Sequence, residues 1–112
     1  VHVSVLVCLA VGLTLTALGA EVYMTDLPNV LDLLHHNIKA CFPPSVVQEH
    51  GLTMPVVEAL SWGEPVPEER RRVYDMVVGS DITYDTEKCV LLRRTLLELC
   101  REGEGVALYL GH

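Results

Sequence analysis

The sequence is poor in the features that mark several common protein classes. Its four cysteines, Cys8, Cys41, Cys89 and Cys100, form no C-x-x-C pair, so their spacing indicates neither a zinc site nor a disulfide framework. Core thiols in a reducing, cytoplasmic compartment are the simplest account of them. The N-x-S/T glycosylation signal is absent. Basic residues are few: eight Lys and Arg stand against fifteen Asp and Glu, a formal net charge of −7. That balance weighs against nucleic acid, which rewards a basic face. The one basic cluster, Arg70-Arg71-Arg72, follows Glu68-Glu69 and reads as a solvated face. There is no internal repeat and no low-complexity segment.

Charge is missing altogether from residues 1–20. Such a run can be a membrane span or a signal segment. It has no basic flank, however, and it contains His2, Ser4, Thr14, Thr16, Gly12 and Gly19. A strand and a helix buried in a sheet explain its apolarity without lipid, so no membrane partner is expected. The first residue is Val, which suggests a processed or trimmed chain.

Half of the 112 residues are hydrophobic. That disfavours disorder and gives one domain over residues 1–112 a core of its own. Residues 1–7 are Val-rich and partly alternating, as in a strand, and residues 11–18 form a short apolar helix stopped by Gly19. "AEVYMTD" is a short buried strand ending on Asp26. The next segment, with Pro28 near its start, places Leu27, Val30, Leu31, Leu34 and Ile38 on one helical stripe facing a core, and Pro43-Pro44 ends it. A strand follows over about residues 55–60, then a polar connection with at most one helical turn. Residues 76–78 make a third strand. Residues 89–102 make a helix with Cys89, Leu92, Leu96, Leu99 and Cys100 on one face, and "VALYL" is the last strand.

Strands alternating with helices predict an α/β fold, a mostly parallel sheet with helices on both faces. Such sheets bind ligands beyond the carboxyl ends of their strands. Asp26, Trp62 and Asp81 each follow a predicted strand, so all three should gather at one edge around a shared cleft. Asp26 could accept hydrogen bonds from a ribose diol or cap the following helix. Trp62, the only Trp, could stack on an adenine or serve as a core residue. Asp81 and Tyr84, three apart after the Gly79-Ser80 turn, could hold an amine or guide a proton. His35, His36 and His50 lack metal-ligand spacing and read as surface residues, so no metal is expected.

"LGAEVYMTD" (residues 18–26), a helix ending near Asn37, "LSWG" (60–63) and "SDITY" (80–84) occur in that order. Together they resemble the lysine methyltransferase-like group of seven-strand S-adenosylmethionine-dependent methyltransferases, often called methyltransferase family 16. The resemblance covers most of residues 12–110. It implies a Rossmann-like three-layer α/β/α fold, here incomplete, and a protein-lysine N-methyltransferase using S-adenosyl-L-methionine on a protein substrate with an acceptor lysine. It also implies roles: Asp26 binds the cofactor ribose, Trp62 and Ser80 lie on the cofactor side, and Asp81 and Tyr84 line the channel where amine meets methyl.

The chain departs from the family at its first strand. The family's E-x-G-x-G-x-G places its acid on Val3 and its glycines on Val5, Val7 and Leu9. Glycines there let backbone approach the cofactor, so branched side chains predict weak cofactor binding by this chain. The family's last two strands are also missing before His112, which suggests truncation at both ends. Two other readings stay open: a non-catalytic remnant or binding module, and a small membrane-anchored protein using residues 1–20.

Overall fold

The computed structural model describes residues 1–6, 9–80, 86–103 and 106–110. Five strands form one sheet: β1 (His2–Leu6), β2 (Glu21–Asp26), β3 (Val56–Ala59), β4 (Met76–Ser80) and β5 (Val106–Leu110), in the order β3-β2-β1-β4-β5. Every pairing is parallel. The helices are α1 (Leu9–Ala17), α2 (Leu31–Cys41), α3 (Pro44–His50) and α4 (Thr86–Leu99). The sheet is the Rossmann-like α/β architecture expected, and strands β2 and β4 run the same way.

The period-two alternation of the strands sorts their side chains onto two faces. Val3, Val5, Val22, Met24 and Val78 form one core with Ile38 and Phe42, and Val11, Leu13, Leu15 and Val47 pack against it. That face lies under α1, α2 and α3. Leu6, Tyr23 and Val77 point the other way, into a second core with Leu60, Val66, Tyr74, Leu92 and Leu99. That face lies under α4 and the 60–75 crossover. Leu96 packs against the second core too. The Leu92–Leu96–Leu99 stripe thus faces the sheet as its periodicity predicts, each buried leucine contributing about 1.5–3 kcal/mol.

Local signals account for most boundaries. Gly19, at φ 95°, closes α1 with paired bonds from its own amide to the Thr16 carbonyl (3.0 Å) and from the Ala20 amide to the Leu15 carbonyl (3.0 Å). This Schellman arrangement needs the left-handed φ that glycine adopts freely.

Several expectations need correction. Pro43-Pro44 ends α2 but also starts α3, which the sequence reading missed. Pro44 occupies the first turn of α3, where its missing N–H has no partner to lose. The expected stripe from Leu27 to Ile38 is buried only at Leu34 and Ile38; Leu27 is 53% exposed, because a 3₁₀ turn over Pro28–Val30 precedes the α-helix. Helix α4 runs about three residues earlier than its apolar pattern suggested. Its end is set by tertiary pairing: Tyr74 bridges Cys100, the Tyr74 amide donates to the Leu99 carbonyl (3.2 Å), and the Arg101 amide donates to the Tyr74 carbonyl (2.9 Å). Cys41 is exposed rather than a core thiol, and Cys89 and Cys100 are half-buried.

The arginine cluster is paired rather than merely solvated. Arg70 meets Glu58 (3.3 Å), Arg71 meets Glu68 (3.7 Å) and Glu98 (3.8 Å), and Arg72 meets Glu102 (3.2 Å). His35, His36 and His50 are exposed. Among the described residues no group of three His, Cys, Asp or Glu could hold a metal, and no helix is long and apolar enough to cross a membrane.

Candidate functional site

Parallel pairing puts the carboxyl ends of all five strands at one edge of the sheet, which gathers residues distant in sequence. A cavity of about 230 Å³ opens there, lined by Asp26, Leu27, Leu60, Ser61, Trp62, Lys88 and Leu91. Asp26 and Trp62, expected at this edge from separate strands, do share it.

Asp26 is the last residue of β2 and is half-buried. Its Oδ1 accepts the Leu27 amide at 2.7 Å, and its carbonyl accepts the Leu60 amide at 3.1 Å. The second bond ties the exits of β2 and β3 together. The carboxylate is not a helix cap: the first turn after it is capped at Leu27 with no side-chain hydrogen bond. One carboxylate oxygen therefore orients the group, and Oδ2 is not held by the Leu27 bond.

Trp62 is half-buried and packs against the second core while forming part of the cavity wall. The turn that carries it is fixed by its neighbour Gly63, whose φ is 90°. A Cβ on Gly63 would come 2.6 Å from Leu91 Cδ2. The Gly63 amide donates to the Thr95 Oγ1 at 2.9 Å. The glycine of "LSWG" thus serves two ends, a left-handed backbone and close approach to α4.

Ser80 is the last residue of β4, in register with Leu110 of β5, so its backbone belongs to the same edge. Asp81 and Tyr84 lie outside the described residues. Sequence reasoning missed Leu27, Lys88, Leu91 and Thr95. The last three recur on α4 at the three- and four-residue steps of one helical stripe, a signal that was available but indistinguishable from a solvated face.

At β1, Val3 and Val5 are 2% and 0% exposed and belong to the core under α1. Val5, the first residue aligned with a family glycine, is thus a buried core residue of the sheet; Val7 and the Leu9 side chain lie outside the described residues.

An all-parallel sheet with β1 at its centre, helices on both faces and an acid closing β2 defines a Rossmann-like α/β protein with its ligand edge at the strand carboxyl ends. A chain described as a Zn-dependent alcohol dehydrogenase from Rhodobacter sphaeroides superposes with a TM-score of 0.66 at 18% identity, covering 95% of this chain and 39% of that one, a likeness of fold alone. A family model described as lysine methyltransferase matches residues 6–111, and the chain belongs to that family. It is 30% identical over 98 residues to protein N-lysine methyltransferase METTL21A of Mus musculus, covering 88% of this chain and 43% of that protein. It is 37% identical over 93 residues to EEF1A lysine methyltransferase 3 of Xenopus tropicalis, covering 80% and 37%. The chain thus spans about two-fifths of the length of these curated relatives.

Proposed function

We propose that this chain carries the cofactor side and the acceptor side of a protein-lysine N-methyltransferase that uses S-adenosyl-L-methionine. The observation that carries the reading is the sharing of one carboxyl-edge cavity by Asp26 and Trp62. The donor set suits the adenosine half of such a cofactor. A carboxylate with one oxygen anchored can accept from a ribose hydroxyl with the other, and an indole in an otherwise apolar wall can cover a purine.

The cofactor supplies a methyl group made electrophilic by its sulfonium. The chain's own task is alignment, because an in-line displacement gains much of its rate from orientation. Asp26 and Trp62 fix the adenosine end, and Ser80, at the end of β4, belongs to the same side. Asp81 and Tyr84 orient the acceptor lysine: the carboxylate favours the amine's approach and its deprotonation path, and the phenol ring steadies nearby positive charge. The substrate is a protein presenting a lysine. The free thiols of Cys41, Cys89 and Cys100 suit a cytoplasmic setting.

Titration with S-adenosyl-L-homocysteine, followed through Trp62, tests this. Saturable quenching in the native chain, weakened by Asp26→Ala, is the expected result. No quenching at millimolar ligand would overturn the reading and leave the fold as a scaffold without cofactor.

A further inference from the structure

The crossover from β3 to β4 is held along a single stripe of α4. Leu91 fills the space beside Gly63, and Thr95 accepts the Gly63 amide. One turn on, the Glu98 carbonyl accepts the Arg72 amide at 2.7 Å, and the Glu98 carboxylate meets Arg71. Beyond the end of the helix, Glu102 pairs with Arg72. The charged contacts are reached by solvent, Arg71 and Glu98 partly and Arg72 and Glu102 by more than half, and ion pairs so placed are weak. The Thr95 bond differs: Thr95 is 0% exposed, so its hydroxyl cannot turn to water if the Gly63 amide leaves. A buried polar group without its partner costs more than the bond itself contributes.

We infer that Thr95 is a positioning residue for the cavity wall: its hydroxyl fixes the Gly63 amide and thereby seats the Trp62 indole beside Asp26. The functional meaning rests on the cofactor reading above, and the geometry stands without it. Helix α4 then does two jobs with two stripes. Leu92, Leu96 and Leu99 hold it to the sheet; Lys88, Leu91 and Thr95 shape the ligand edge. Threonine is a mediocre helix former, and the Thr95 hydroxyl accepts the Gly63 amide from outside the helix.

The single tryptophan makes the test direct. Trp62 emission and acrylamide quenching would be measured without ligand in the native chain, in Thr95→Val, which keeps the shape and removes the acceptor, and in Thr95→Ser, which keeps the acceptor. The valine variant is expected to shift Trp62 emission to the red and raise its quenching at unchanged far-ultraviolet circular dichroism, and serine is expected to restore the native spectrum. S-adenosyl-L-homocysteine binding should weaken about three- to tenfold in the valine variant, the range of one hydrogen bond. A folded valine variant with native Trp62 emission would overturn the inference. If valine prevents folding, hydrogen exchange of the Gly63 amide in the native chain decides instead: strong protection supports the bond, and exchange at the free-peptide rate rejects it. Native Trp62 behaviour that responds to Thr95 without any ligand binding would sink the cofactor reading and leave the positioning role intact.

Discussion

The guanidinium of Arg70 lies 4.5 Å above the ring of Tyr23. The same Arg70 pairs with Glu58, which accepts the Tyr23 hydroxyl at 3.1 Å. Beneath it Tyr23 stacks on Tyr74 with ring centroids 5.5 Å apart. Burial first, and the neighbouring Glu58 carboxylate second, push the Tyr23 phenol far above the ordinary tyrosine range. Burial raises Tyr74 as well.

The sign of the pH effect follows. A phenol whose folded value is raised contributes stability that is complete below about pH 10, the unfolded value, and is lost as pH rises beyond it. Two of the four tyrosines, Tyr23 and Tyr74, should therefore ionise only as the protein unfolds. Ultraviolet difference titration should show them missing from the native phenolate signal. Tyr23→Phe should flatten the alkaline loss of stability, and an unchanged alkaline limb would contradict this.

Asp75 contributes on the acid side. It accepts the His2 amide at 2.9 Å and meets Arg101 at 3.1 Å. The His2 amide first, and Arg101 next, hold its carboxyl below the ordinary value. Its stabilisation is present above the unfolded value of about 3.9 and is lost as pH falls through the lower folded value. Asp75→Asn should reduce the slope of acid unfolding below about pH 4, as followed by circular dichroism; an identical slope would show that other carboxylates dominate.

Gly63→Ala should destabilise the fold by about 1–3 kcal/mol, mainly through its left-handed backbone. The Leu91 side chain can yield, because the close atom is its flexible end. Gly63→Ala combined with Leu91→Ala should recover only the steric share. Denaturant unfolding of the three variants separates the two parts, and full recovery in the double variant would show that φ is not the dominant cost.

Asp26→Ala should weaken S-adenosyl-L-homocysteine binding about tenfold to a hundredfold, the worth of hydrogen bonds to a charged group. Asp81→Asn should instead depress turnover of an active form more than cofactor affinity. Equal effects of both on cofactor binding, measured by calorimetry and single-turnover transfer, would defeat this division of roles. The family pattern aligns glycines on Val7 and Leu9, and on that alignment the homocysteine ligand is expected to bind no more than about tenfold tighter than adenosine.

Most of the fold was legible because its signals are local. Alternating valines mark β1, and Leu92, Leu96 and Leu99 mark the sheet side of α4. The meeting of Asp26 and Trp62 was legible by one further step, since parallel strands bring their carboxyl ends to a common edge. What was hidden depends on contacts distant in sequence. The end of α4 is decided by Tyr74, 26 residues before Cys100. Thr95 looks like any polar helix residue until Gly63, 32 residues away, is placed against it. Pro43-Pro44 misled because the same ring that ends one helix can open the next.

Strand β1 sits at the centre of the sheet, between β2 and β4. Its two partners are reached on different timescales. Pairing with β2 closes a short loop through α1, whereas pairing with β4 joins His2 to Asp75, 73 residues apart. Contacts that distant are slow to form because the chain must be ordered before they reward it. While that central seam is open, β1 and β4 each offer an apolar strand with one unpaired backbone edge, the template on which chains add to one another. Refolding yield should therefore be governed by how quickly residues 2–6 find residues 76–80, and should fall with rising protein concentration before any loss of native stability is visible.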